Sequence, residues 1–427
     1  MRLPTNLLNG LLIASLSLAA SAWADEKEIL SAVDDASGRC RLVSQKLWDY
    51  KELGQQEFKS SALLMEELTS LGFQVTGNLK VPDDLVKGGV AKTAFRAELQ
   101  GKGPGPTVTI MLEYDALQNG HSCGHNLIAA SGLLAAAGLA KHMHEITGRV
   151  LVLGTPDEER GSLGGGKIAL LEGGHFDGSD VVLITHPAAC WSLDQRLLAM
   201  KRASFAFKGI AAHAASAPDE GVSALDAVVL TFNATDMLRE HVPDDVRIHG
   251  IIRKGGDAVN IVPDTAEAEF AVRALSTAEM EQVYERVVNC AEAGALATGA
   301  VLQFKEPRTE LKSPIIVRSL LKLVRKGLLS MGVENDDIMD CTDFGSSDRG
   351  NVGHAYPTVN LWFKIASEGT IGHTDAFREA AGSEEGWKAA VVAAKVLALT
   401  AYNLLTHPEK VAKIQEEFAQ IKASEGI

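Results

Sequence analysis

Two periods of apolar and polar positions run along this chain. The segment Thr107-Val-Thr-Ile-Met-Leu-Glu-Tyr114 is nearly continuous in apolar and β-branched residues and follows the Gly/Pro cluster from Gly101 to Pro106. That is the pattern of a strand buried on both faces. Val150 to Gly154 and Val181 to Thr185 repeat it. Between these runs lie a small-residue helix from about Leu127 to His144 and a Gly-rich helical segment, and upstream a helical stretch from Ile29 to Leu71 breaks around Gly54. Strands alternating with helices predict an α/β fold, with a mostly parallel sheet and helices on both faces. Function is then expected where the strands end.

From about Lys201 the order changes. A strand (Arg202 to Lys208), a helix (Ala224 to Val242), two strands (Arg247 to Arg253, Ala266 to Leu275), a helix (Ala278 to Thr298) and a strand (Val301 to Glu306) spell βαββαβ. This is the ferredoxin-like order. Residues 201–311 therefore read as an inserted α+β domain. Helix (Ile315 to Met331), strand (Thr358 to Ile365) and an Ala-rich helix (Glu384 to Leu405) follow, so the main domain is expected to be discontinuous, 25–200 with 312–427.

The first residues add a compartment. Arg2, an apolar run from Leu11 to Ala20 and Ala22-Trp23-Ala24 form a secretory leader, residues 1–24, with cleavage expected before Asp25 and a periplasmic or secreted destination. No later stretch reads as long and apolar enough to span a bilayer, so no membrane partner is expected once the leader is removed. The net charge of −14 and the lack of a Lys/Arg cluster argue against nucleic acid as a partner. Five cysteines at wide spacings leave at least one unpaired; Cys40, Cys190, Cys290 and Cys341 read as small buried apolar residues of undetermined pairing.

Polar groups able to hold metal follow each strand. Asp115 follows the first, Pro156-Asp-Glu-Glu-Arg160 the second and His186 the third. Cys123 and His125 lie two apart in a loop entering a helix, and a thiolate beside an imidazole is a ligand pair for borderline-soft ions. His121 fits either a ligand or a backbone-bonded loop histidine. Successive side chains at Glu158 and Glu159 point different ways, so one can bind metal while the other faces a substrate, the division that metal-assisted amide hydrolysis needs. With His373 in Thr370-Ile-Gly-His-Thr-Asp-Ala-Phe377, the set Cys123, His125, Glu159, His186 and His373 suffices for two ions about 3.5–4 Å apart.

Taken together, Glu113-Tyr-Asp-Ala-Leu117, His121-Ser-Cys-Gly-His-Asn126, Gly154-Thr-Pro-Asp-Glu-Glu159, Lys208-Gly-Ile-Ala-Ala-His-Ala-Ala215 and His373 closely resemble the aminoacylase/carboxypeptidase family of metallopeptidases. The likeness is to its amidohydrolase branch, which includes aminobenzoyl-glutamate and auxin-conjugate hydrolases and a β-alanyl-lysine-type dipeptidase. The resemblance implies two divalent ions, zinc or manganese, with Cys123 bridging, His125, Glu159, His186 and His373 completing the shells, Glu158 as general base and Asp115 orienting a ligand imidazole. It implies that the inserted domain is a lid and dimerisation domain giving a homodimer or higher homo-oligomer. There His213 would contact the substrate carbonyl, often across the dimer interface, and Asn260 and Arg273 would bind substrate.

The reaction expected is hydrolysis of the amide bond of a small N-acyl or N-aroyl amino acid, with a dipeptidase as the close alternative. Two rivals stand apart: a catalytically inactive relative serving as a binding or assembly protein, and a hydrolase in which Cys123 is the nucleophile. The chain departs from the family pattern in three places. Asn126 replaces a common Asp, the loop after Glu159 is long and Gly-rich, and Arg349 takes a place where a small or apolar residue is expected, facing either the cleft or solvent.

Overall fold

The computed structural model describes residues 6–159, 165–340 and 345–425, with side chains from residue 26 onward. The expected positions Arg2 and Cys341, and most of the loop after Glu159, lie outside the described residues. In chain order the elements begin with α1 (Asn6–Tyr50), α2 (Phe58–Ser70), β1 (Gln74–Lys80), β2 (Val90–Gln100), β3 (Thr107–Leu112), α3 (His125–Ala140) and β4 (Arg149–Gly154). α4 (Gly166–Glu172), β5 (Val181–Ala188) and β6 (Trp191–Ser192) follow. The chain then builds a separate unit of β7 (Ala199–Lys208), α5 (Ala224–Leu238), β8 (Arg247–Lys254), β9 (Thr265–Ala274), α6 (Thr277–Thr298) and β10 (Val301–Phe304). It returns through α7 (Arg318–Ser330), β11 (Ile338–Met339), α8 (Arg349–Ala355), β12 (Thr358–Lys364), α9 (Asp375–Ala381), α10 (Glu384–Thr406) and α11 (Pro408–Ser424).

The main sheet has eight strands in the order β1-β2-β4-β3-β5-β12-β6-β11. Its centre, β4-β3-β5-β12, is parallel, whereas β1, β2 and β6 pair antiparallel at the flanks, so the sheet is mixed around a parallel heart. All six residues of β3 are buried because helices cover both faces. α3 is buried from His125 to Leu139, and α1 and α10 pack on it. A helix apolar all round belongs in a core, and that is where this one lies. α10 corrects an expectation: by length and hydropathy it could cross a membrane, yet it is a mostly buried helix of this same core.

β7, β9, β8 and β10 form a second, fully antiparallel sheet in the order β10-β7-β9-β8, backed by α5 and α6 over its own apolar core. Ser223 and Ser276 cap the two helices by accepting hydrogen bonds from Asp226 and Glu279 backbone N–H groups. The two chain crossings into and out of this unit are joined, Met200 and Leu311 exchanging both backbone hydrogen bonds at 2.8 and 2.9 Å.

β3 lies between β4 and β5, and the chain passes from it first to one side and then to the other. Such a switch opens a crevice at the carboxyl ends of the strands. In register, Leu112 pairs with Gly154, so the segments leaving β3 and β4 emerge side by side.

Candidate active site

Asp115, just beyond β3, is the fixed point of this crevice. Its Oδ1 lies 3.0 Å from His125 Nδ1, and its Oδ2 accepts from the Glu159 backbone N–H at 3.0 Å. Buried at 1% exposure, the carboxylate orients the imidazole so that Nε2 faces away from it. Cys123 and His125 both reach the crevice because Gly124, left-handed at φ +79°, turns the chain between them. A Cβ at Gly124 would stand 2.6 Å from Pro187 Cγ, so only glycine fits there. His186 follows the same logic as His125: its Nδ1–H donates to the Pro187 carbonyl at 2.8 Å, leaving Nε2 3.6 Å from Cys123 Sγ.

Glu159 Oε1 lies 3.8 Å from His125 Nε2 and 3.6 Å from His373 Nε2. His373, the most exposed of the group, is itself left-handed at φ +65°, with its backbone N–H bonded to Ser122 and Thr374 capping α9 beside it. The non-glycine Asp157 is likewise left-handed at φ +62°, directly before the two glutamates. Strained backbone of this kind is kept where surrounding structure enforces it, commonly at functional sites. Cys123, His125 and His186 bring one donor atom each within 4.8 Å of one another; so do Cys123, Glu159 and His373, and so do His125, Glu158 and Glu159. All five residues expected as ligands, with Glu158 and Asp115, therefore meet at one place.

The donor set fits divalent ions on its own terms. His125 Nε2 and Glu159 Oε1 are buried without a hydrogen-bond partner among the described residues, which is costly unless something accepts their lone pairs. Burial pushes Glu159 up to about 7, with His125 opposing and Glu158 adding, and the same burial pushes the Cys123 thiol up and His186 down to about 4. Each group is thus driven towards the form without charge, and cations invert that preference. Glu113, Asp115, Glu158, Glu159, Asp348 and the Cys123 thiolate would carry six negative charges against the two buried cations Lys167 and Arg349, a deficit that two dications remove.

Glu158 differs from Glu159 in its partner. Ser347 donates to its Oε1 at 2.6 Å, leaving Oε2 3.9 Å from His125 Nε2. A cavity of about 400 Å3 opens beside it, walled by Trp362, Met200, Ser346 and Arg273. The Trp362 ring lies 4.7 Å from the His186 ring, and its Nε1–H donates to the Asp194 carbonyl at 2.8 Å.

Other expectations resolve differently. His121 is backbone-bonded, its Nε2 lying 2.9 Å from the Leu47 carbonyl, and burial pushes it down to about 4. Asn126 ties α3 to α1 and α9 by donating to Ser44 Oγ and the Ala381 carbonyl. Arg349 faces neither cleft nor solvent: it is 3% exposed, and its guanidinium stacks 5.8 Å from the Trp362 ring behind the cavity wall. Arg273 reaches the cavity. His213 and Asn260 do not join the cavity walls of this chain; they meet on an exposed turn, where Ala214 N–H donates to the Asn260 carbonyl. Cys40 is buried as expected, whereas Cys190 and Cys290 are only half-buried.

Glu57, Lys167 and Trp362 were not visible in the sequence as site residues, and Ser347 and Asp348 stood out only as part of the loop from Gly345 to Gly350, which resembles a Ser-x-Asp loop of the family. Glu57 is fully buried and accepts from the Asp157 backbone N–H and from Thr93 Oγ1, both at 2.9 Å, which fixes the left-handed turn before Glu158. Burial, with Asp115 adding, pushes it up to about 8. A carboxyl raised in the fold costs stability as pH rises from about 4.5, where the unfolded chain ionises, to about 8, and that loss persists above. Glu57→Gln should therefore remove a slope of the order of 4 kcal/mol between pH 5 and pH 8, measured as the difference in urea unfolding from the parent chain.

Comparison with known proteins decides the family. Residues 199–298 match the family model of the peptidase dimerisation domain. The chain is 33% identical over 406 residues to the human Xaa-Arg dipeptidase, covering 90% of each chain. The chain belongs to the M20 family of metallopeptidases and amidohydrolases. It is also 36% identical over 304 residues to a subunit of the p-aminobenzoyl-glutamate hydrolase of Escherichia coli, covering 65% of this chain and 60% of that one. A Bacillus subtilis structure, a dinuclear metal-binding peptidase of the M20 family, shares the fold with a TM-score of 0.64 at 20% identity, covering 87% of this chain and 99% of that one. In this M20 hydrolase the stretch matching the dimerisation domain runs from β7 through α6 of the four-stranded unit, and the whole donor cluster lies outside it.

Proposed function

We propose that the protein is a two-metal amidohydrolase that cleaves the amide bond of a small N-acyl or N-aroyl amino acid, with Glu158 as general base. The observation that carries this reading is the meeting of Cys123, His125, Glu159, His186 and His373 around unpartnered donor atoms, with Glu158 at the same crevice held by Ser347 instead. Cys123 joins the grouping with His125 and His186 to the grouping with Glu159 and His373, and by the family resemblance its thiolate would be shared by both ions, although His125 and Glu159 also belong to two groupings each. When bound, such ions supply Lewis acidity to the carbonyl oxygen and to the attacking water.

The chain's own residues do the rest. Asp115 keeps His125 in the tautomer that leaves Nε2 as a donor. Ser347 occupies one oxygen of Glu158, so the other receives the proton of the water and delivers it to the leaving nitrogen. Arg273 has no acidic partner among the described residues, and its side chain's only hydrogen bond there is from Nη1 to Ser346 Oγ at 3.3 Å, so its fork is available for a substrate carboxylate. Arg273→Ala should raise KM about 10- to 100-fold with a smaller change in kcat, because the grip is remote from the reacting bond; an unchanged KM removes Arg273 from the site.

His213 and Asn260 are assigned to the cavity of a second copy. The exposed Ile251 and Ile252 on the edge strand β8 support a homodimer through the inserted unit, and there His213 would stabilise the developing oxyanion. The leader and its Ala22-Trp23-Ala24 site support export to the periplasm or beyond. A dipeptidase is the second reading, favoured by likeness to the Xaa-Arg dipeptidase across 90% of both chains. A hydrolysis screen over N-acyl amino acids, aminobenzoyl-glutamate, β-alanyl dipeptides and dipeptides ending in Arg, each with added zinc or manganese, tests the proposal. Turnover of none of them sinks it.

A further inference from the structure

Behind the cluster lies a second set of charges that the proposed hydrolysis does not use. Lys167, near the start of α4, has a side chain with no exposed surface. Its ammonium donates to Glu113 Oε1 at 2.9 Å and to Asp348 Oδ1 at 2.6 Å, and its backbone N–H donates to Asp348 Oδ2 at 2.9 Å. Burial favours the neutral amine, yet Asp348 and Glu113 hold the group well above its usual range.

Glu113 is satisfied on one side only. Its Oε2 is buried, has no hydrogen-bond partner among the described residues and lies 3.7 Å from His125 Nε2. Glu159 and Glu158 approach the same nitrogen at 3.8 and 3.9 Å, so Glu113 is no farther from it than either glutamate of the proposed machinery. Its other oxygen differs from theirs in being held by a cation.

Resting on the two-ion reading, we propose that Lys167 is a positioning residue that restrains Glu113 from joining the ion shells. The ammonium and the ions compete for one carboxylate. Released, Glu113 would add an anionic donor at His125, tighten ion binding and weaken the Lewis acidity on which hydrolysis depends. A purely structural brace predicts the opposite sign, since loosening the support of a metal site lowers affinity by roughly 10- to 100-fold.

The sign of the affinity change is the test, measured on the full chain by competition with a chelator. Lys167→Met should lower the dissociation constant of at least one ion by roughly tenfold or more while kcat falls. Because that variant leaves two buried carboxylates without their cation and can fail to fold, Lys167→Met/Asp348→Asn serves beside it: it frees Glu113 without changing the total charge of the trio. It should show the same tightening, and adding Glu113→Gln should return the affinity to within about threefold of the parent chain. An unchanged or raised dissociation constant in the double variant overturns the restraint. If the parent chain takes up no divalent ion, the two-ion reading fails and takes this inference with it.

Discussion

Glu158→Gln should lower kcat by about 10²- to 10⁴-fold while the fold and the ion content stay as they are. The amide has the shape of the carboxylate and can still accept from Ser347, so the loop and the cavity wall remain in place. What disappears is the one oxygen able to take up a proton. Glu159 is the control for this argument. It shares a donor grouping with Cys123 and His373 that Glu158 does not enter, and its Oε1 is buried without a partner. Glu159→Gln should therefore cost ion affinity first and rate as a consequence. Metal analysis of both variants beside their turnover separates the roles, and an ion lost from Glu158→Gln would show that the two glutamates have been assigned the wrong way round.

The part of the site legible in the sequence is the part tied to strand ends, together with the Cys123-x-His125 pair and His373 in their loops. A buried parallel strand is apolar along its whole length, so the polar residues that follow it are conspicuous, and Asp115, Glu158 and Glu159 stand out by that contrast, while their separate roles come from the family resemblance. His186 follows the apolar run of β5 in the same way. The residues that escaped are those whose meaning comes from a distant partner. Lys167 looks like a solvent-facing lysine of a short helix, and it is buried because Glu113 and Asp348, the latter 181 residues away, meet it. Glu113 reads as the polar end of a strand. Ser347 becomes significant only against Glu158, 189 residues earlier.

The fold follows the same division. The βαβ core and the βαββαβ insertion announce themselves by period, with α1 ending at Tyr50 and α2 starting at Phe58 around the expected break. The antiparallel flanks β1, β2 and β6 do not, since strand direction is fixed by pairing and leaves no trace in periodicity. α10 shows the converse hazard: buried helix and membrane helix share one composition, and packing against α3 and α1 tells them apart.

Stripping divalent ions should abolish turnover and also lower thermal stability, and both losses should reverse when zinc or manganese returns. The stability loss follows from linkage: ions that bind only the folded chain stabilise it by about 4 kcal/mol when present at a thousand times their dissociation constant. For a chain of this size that is a shift of several degrees in Tm. The charges of the crevice give the effect its direction. Without cations, His125 Nε2 and Glu159 Oε1 have no hydrogen-bond partner among the described residues, and five carboxylates and a thiol stand against two buried cations, Lys167 and Arg349. The same experiment decides between the two chemistries available to Cys123. As a nucleophile paired with His125 and Asp115 it would keep its activity under a chelator. As a shared ligand it would lose all activity, and Cys123→Ser would lower ion uptake together with rate. Activity that survives chelation, unaltered by added metal, would overturn the two-metal reading, and Glu158 would lose its role with it.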